Sequence, residues 1–180
     1  MNSKEERRDS RQVSTRKKLI HSTYFITQGG IIAALYIVLS LGAKALGLSS
    51  GAIQVRFSEA LCILPGFTPA AIPGVTIGCF LFNLIDQGAP LDMIFGSLAT
   101  LIGAFGTYFL RKKHWLAALP PILSNTFIIP WVLQTAYGMT DSYWYLMLTI
   151  FVGELISIGL LGEMLYYSMV NSKMTQIFRK

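Results

Sequence analysis

Between Tyr24 and Val170 the sequence is a succession of apolar segments, most of them about as long as a membrane crossing and separated by charged, proline or glycine-containing breaks. A helix needs about 20 apolar residues to traverse about 30 Å of hydrocarbon, so such a chain is expected to fold as a helix bundle in a bilayer. The composition agrees: 53% of the 180 residues are hydrophobic and 13% charged. The mean hydropathy of +0.53 is too high for a domain that must face water. The segments fall at about 24–46, 53–66, 68–86, 91–111, 114–137 and 142–170. The expected fold class is therefore an all-α membrane protein with six transmembrane helices. Those crossings would use about 120 residues and leave almost no room for a soluble domain.

The net charge of +6 would suit a nucleic-acid binder if the basic residues shared a soluble face, but they sit at the ends of the apolar segments. Seven lie in residues 1–18, three form the cluster Arg111, Lys112 and Lys113, and Lys173, Arg179 and Lys180 close the chain. If the basic start is cytoplasmic, six crossings place all three clusters on that side, as positive-inside orientation demands, with both termini cytoplasmic. The opposite side then receives Asp86, Asp92 and Asp141, with Lys44 and Arg56 as its basic residues. Residues 1–18 are expected to be a disordered basic tail, 19–172 the six-helix domain and 173–180 a second basic tail. The first apolar stretch lacks an A-x-A cleavage pattern and is read as a retained helix, not a signal peptide. Cys62 and Cys79 lack metal-ligand or framework spacing and are read as packing residues.

The second segment is the unusual one. "IQVRFSEALCILPGFTPAAIPG", Ile53 to Gly74, holds Arg56, Glu59 and three prolines, Pro65, Pro69 and Pro73. About 14 residues are too few to cross as a helix, so a partial span completed by irregular backbone is expected. Such backbone survives at membrane depth only where it is buried in protein or lines a wet cavity. This stretch is therefore expected to form a site wall.

Few polar residues lie deep in the apolar segments, and those few are the candidates for chemistry. Glu154 sits about 16 Å into its helix, near mid-bilayer, where a carboxylate costs at least about 2.5 kcal/mol and needs a partner or a ligand. Asn125 lies at similar depth and Asn83 nearer the external end; each can contact a ligand or join helices. Arg56 and Glu59, three apart, are either an interfacial ion pair or part of the pocket, with Glu59 expected nearer water than Glu154. Tyr137, Tyr143 and Trp144 suit an interfacial belt or, as the alternative, stacking on a flat ligand, and Trp131, slightly deeper, is the better stacking candidate. Gly29, Gly30, Ala33 and Ala34 make a small-residue face on the first helix, fit either for internal packing or for docking another protein. His21 and His114 have no partner visible in the sequence, and no metal site is expected. Glu163 is expected to be solvated.

The sequence contains no G-x-x-x-x-G-K-[ST], H-E-x-x-H or G-x-S-x-G. Uphill movement of a solute would then draw on an ion gradient or another subunit. An intramembrane enzyme using Glu59 or Glu154 as acid or base is the competing class, without a nucleophile–base pair to support it.

The run "IQVRFSEAL..LPGFTPAAIPG", followed by "DMIFGSLATLIGA", a basic "RKK" end, "LPPILSN" and "VGELI", resembles the queuosine-precursor transporter family. Its members are membrane substrate-binding components of energy-coupling factor transporters, and the likeness runs over about residues 25–170. The resemblance implies a six-helix subunit of the cell membrane, without a cofactor, that captures a 7-deazaguanine ligand from outside. It further implies a transmembrane coupling protein and two ATP-hydrolysing subunits as partners, docked on Gly29, Gly30, Ala33 and Ala34. Arg56, Glu59, Asn83, Asn125, Trp131 and Glu154 are then the candidate substrate contacts. Another flat vitamin, such as a folate, flavin or thiamin, is the alternative ligand.

Overall fold

The computed structural model describes residues 3–48 and 53–172, and every regular element among them is helical. The order is α1 (Ser3–Ala45), a 3-10 segment (Phe57–Gly66), α2 (Ala71–Ile85), α3 (Pro90–Leu110) and the single turn α4 (His114–Ala117). It continues with α5 (Leu119–Tyr137), α6 (Tyr143–Glu154), a π-wound stretch (Leu155–Gly162) and α7 (Glu163–Asn171). Prolines and glycines set the boundaries. Pro90 opens α3, where its missing N–H costs no hydrogen bond. Gly138, left-handed at φ 64°, ends α5.

Among the described residues, four stretches are long and apolar enough to cross a membrane: Leu19–Ala45, Pro90–Leu110, His114–Tyr137 and Tyr143–Asn171. Phe57–Gly66 and Ala71–Ile85 are apolar but shorter. At about 2.0 Å per residue the 3-10 segment extends about 20 Å, well under a bilayer's hydrocarbon thickness. The bundle covers it instead. Ser58 through Pro65 are all buried. Leu61 and Leu64 join a core of Ile32, Tyr36 and Val75, and Cys62 and Ile63 join one of Ile122 and Ile158. The 3-10 segment inside the stretch Ile53 to Gly74 is thus enclosed by the bundle, and the outer surfaces of α1, α3 and α5 carry exposed side chains such as Val38, Phe109 and Phe127.

α1 packs along α2, α2 along α3, α3 along α5 and α5 along α6. The α1–α2 approach is close because glycines face it: a Cβ on Gly74 would lie 2.9 Å from the Gly29 carbonyl oxygen, and one on Gly78 would lie 2.7 Å from Tyr36 Cβ. The backbone of residues 3–18, read as a disordered tail, continues α1. No glycine or proline interrupts Ser3 to Gln28, and its Lys, Arg and Glu residues favour helix. The basic tail 173–180 lies outside the described residues.

Candidate functional site

At the end of the bundle where α1 and α2 terminate, a cavity of about 410 Å³ opens between Lys44, Asp86, Asn83, Asp92, Arg56 and Tyr137. Beneath it lies a second space of about 20 Å³ that reaches Glu59, Asn125 and Glu154. Gln54 and Arg56 line both and form the throat between them.

The floor is a hydrogen-bonded chain drawn from four elements. Tyr36 of α1 donates its hydroxyl to Glu59 Oε1 at 2.5 Å, and the Cys62 thiol donates to Glu59 Oε2 at 3.2 Å. Asn125 of α5 donates from Nδ2 to Glu154 Oε1 at 2.9 Å and, more weakly, to Glu59 Oε2 at 3.5 Å. One amide therefore joins two carboxylates. The other oxygen of Glu154, Oε2, is buried and has no hydrogen-bond partner among the described residues. Such an oxygen costs about as much as a lost hydrogen bond to a charged group, so the floor is short of a donor.

Local sequence explains how these groups come together. Gly153 lies so close to the backbone of Gln54 that a Cβ there would be 2.1 Å from its carbonyl oxygen. The missing side chain lets α6 touch the strand-like run before the 3-10 segment and sets Glu154, the next residue, over the floor. One turn on, Ser157 Oγ accepts the backbone N–H of Arg56 at 3.0 Å. The π winding begins directly after Glu154; such windings recur at functional sites in helices.

The mouth is tied by polar contacts. Lys44 of α1 pairs with Asp86 at the end of α2. Tyr137 donates to Asp92 Oδ2 at 2.9 Å and accepts the Ala89 N–H at 3.2 Å, which fastens the α2–α3 turn to α5. Asn83 donates to the Asp92 carbonyl oxygen at 3.3 Å.

The structure therefore gathers Glu59, Asn125, Glu154 and Arg56 around the inner space and places Asn83 in the outer one. Two readings change. Glu59 is not the more hydrated carboxylate, being 1% exposed against 8% for Glu154. It is also not paired with Arg56: among the described residues the ion pairs are Lys44–Asp86 and His114–Glu163. The reason is geometric. Arg56 precedes the 3-10 turn in extended backbone, so the two side chains do not share a helix face, and Glu59 turns toward Tyr36. Trp131 lines neither cavity; it is 42% exposed and stands edge-on to Phe95 with centroids 4.9 Å apart.

The small-residue face of α1 divides in two. Gly29 and Ala33 turn toward α2, with Ala33 buried, whereas Gly30 and Ala34 are exposed. At the opposite end of the bundle from the mouth, His114 finds the partner that its sequence did not reveal. Its Nδ1 lies 3.3 Å from Glu163 Oε2 and its ring stacks on Tyr166 at 4.8 Å, so Glu163 is paired rather than free in solvent. Among the described residues no three His, Cys, Asp or Glu side chains gather as metal ligands would.

The sequence does not single out Tyr36 or Asp92 as a site residue. Tyr36 had a signal, a phenol inside the otherwise aliphatic run "IIAALYIVL". Asp92 resembled a solvated residue of a first helical turn, yet it is buried.

Comparison with known proteins adds a separate line of observation. A family model described as "QueT transporter" matches residues 26–171, which span every element of the site. A curated protein of Lactococcus lactis subsp. cremoris (strain MG1363), "Queuosine precursor transporter QueT", is 39% identical over 80 residues, 44% of this chain and 47% of that protein. The match thus spans about half the length of that relative. No solved structure matches the chain.

Proposed function

The chain belongs to the QueT transporter family, and from that premise we propose that it is the substrate-binding component of an energy-coupling factor importer, taking up a queuosine precursor of the 7-deazaguanine type. Family membership makes it a transporter rather than an intramembrane enzyme, and its long apolar helices make it a multi-pass membrane protein. The observation that carries the substrate-binding role is the acceptor-rich floor, Glu59–Asn125–Glu154, beneath a cavity of about 410 Å³. That volume lies in the range of about 300–1,000 Å³ typical of small-molecule sites. A 7-deazaguanine edge offers adjacent N–H donors, and an aminomethyl substituent adds a cation, both suited to carboxylates.

On this reading the mouth faces outside, six segments cross or enter the cell membrane, and the basic clusters and both termini are cytoplasmic. The chain has no phosphate-binding loop of the G-x-x-x-x-G-K-[ST] kind, so ATP hydrolysis falls to two partner subunits joined through a transmembrane coupling protein. The exposed half of the small-residue face, Gly30 and Ala34, is the part free to meet that coupling protein.

The test is identification, by mass spectrometry, of the small molecule that co-purifies with the protein, followed by titration with 7-deazaguanines. Saturable binding of a 7-deazaguanine supports the proposal. Retention of a folate, flavin or thiamin, with no affinity for deazaguanines, rejects it.

A further inference from the structure

The cavity floor says more about its ligand than that one binds. Resting on the function just proposed, the geometry points to the inner space as a subsite for a single primary ammonium group: the substrate enters amine first, and its flat ring stays in the outer cavity.

Size is the first argument. The inner space is about 20 Å³, and a site of about 10–15 Å³ or more holds one water-sized group. A primary ammonium on a one-carbon arm is of that size, whereas an aromatic ring is not. Hydrogen bonding is the second. An ammonium has three donors and no acceptor, and the floor presents carboxylate oxygens, among them the buried and unpartnered Glu154 Oε2. Glu154 is 8% exposed, so that oxygen has little access to water as a substitute.

Charge is the third. Glu59 and Glu154 line the inner space with Arg56 as their basic neighbour, leaving one carboxylate more than cations. One ammonium evens the count. The reverse orientation, base edge inward, offers donors without charge and requires the ring to enter a space fit for a water molecule. A nitrile in place of the aminomethyl group offers only an acceptor to an acceptor-lined floor.

Three ring compounds test the inference on purified protein by titration calorimetry: 7-aminomethyl-7-deazaguanine, its 7-cyano counterpart and its N,N-dimethylaminomethyl derivative. The aminomethyl compound should bind wild-type protein at least about tenfold tighter than the cyano compound. The dimethyl compound, still a cation but too large for the inner space, should also bind about tenfold more weakly than the aminomethyl one. In Glu154→Gln the preference for the amine should largely disappear, because the amide lacks the charge and offers the nitrile a donor. Equal wild-type affinities for amine and nitrile, or equal losses in Glu154→Gln, would overturn the ammonium subsite while leaving the transporter reading intact. Failure of all three compounds to bind overturns that reading and this one with it. Should Glu154→Gln not fold, the wild-type comparison decides alone.

Discussion

Glu59 receives hydrogen bonds from Tyr36, Cys62 and Asn125, whereas Glu154 receives one from Asn125. That inequality separates a carboxylate fixed by the fold from the one that the proposed function leaves to a ligand. Tyr36→Phe removes the shortest of these bonds without changing shape. A hydrogen bond to a charged group is worth about 1.5–3 kcal/mol, so the variant should melt at a clearly lower temperature than wild type. An unchanged melting temperature would show that the phenol contributes nothing to holding Glu59. That Glu154 faces the interior of the bundle was legible, because a carboxylate far inside an apolar segment needs a partner. The burial of Glu59 was not, because it depends on which helices surround the 3-10 segment, and a phenol 23 positions earlier in the chain gives no local sign of that contact.

At the scale of elements, α1 carries two neighbouring registers with opposite surroundings: Gly29 and Ala33 against α2, Gly30 and Ala34 outward. The proposed role of the outer register implies that Ala34→Trp, which adds bulk to an exposed face, should impair uptake in cells supplying the partner subunits while ligand binding by the isolated protein stays within about twofold. Gly74→Leu should behave in the opposite way. It would place a side chain on the Gly29 carbonyl oxygen, and overpacking of this sort costs about 1–3 kcal/mol, so its melting temperature should fall. If Ala34→Trp instead abolishes ligand binding, the outer register belongs to the fold of the subunit. The sequence showed that α1 has a face allowing close approach but not which neighbour uses it. Gly74 and Gly78, the same spacing on α2, are the answering pair and were readable in "AIPGVTIGCF". The expected proline-broken second segment was legible for a simpler reason, since three prolines within nine residues leave regular helix few options.

For the molecule as a whole, the two ends differ in charge: Asp86, Asp92 and Asp141 lie toward the mouth, while Arg111, Lys112 and Lys113 follow the far end of α3. The proposed orientation requires that a cysteine replacing Asp141 in intact cells react with a membrane-impermeant reagent and that one replacing Lys112 not do so. The reverse labelling pattern would turn the mouth toward the cytoplasm and exclude capture from outside. A further consequence concerns time rather than affinity. Gln54 and Arg56 alone among the described lining residues border both cavities, so a group travelling to the floor passes between them in each direction. A constriction met on entry and on exit alters both rate constants by the same factor and cancels from their ratio. Gln54→Ala should therefore speed association and dissociation together in stopped-flow measurements, with the equilibrium constant held within about threefold. A change confined to dissociation would make Gln54 a ligand contact instead of a gatepost.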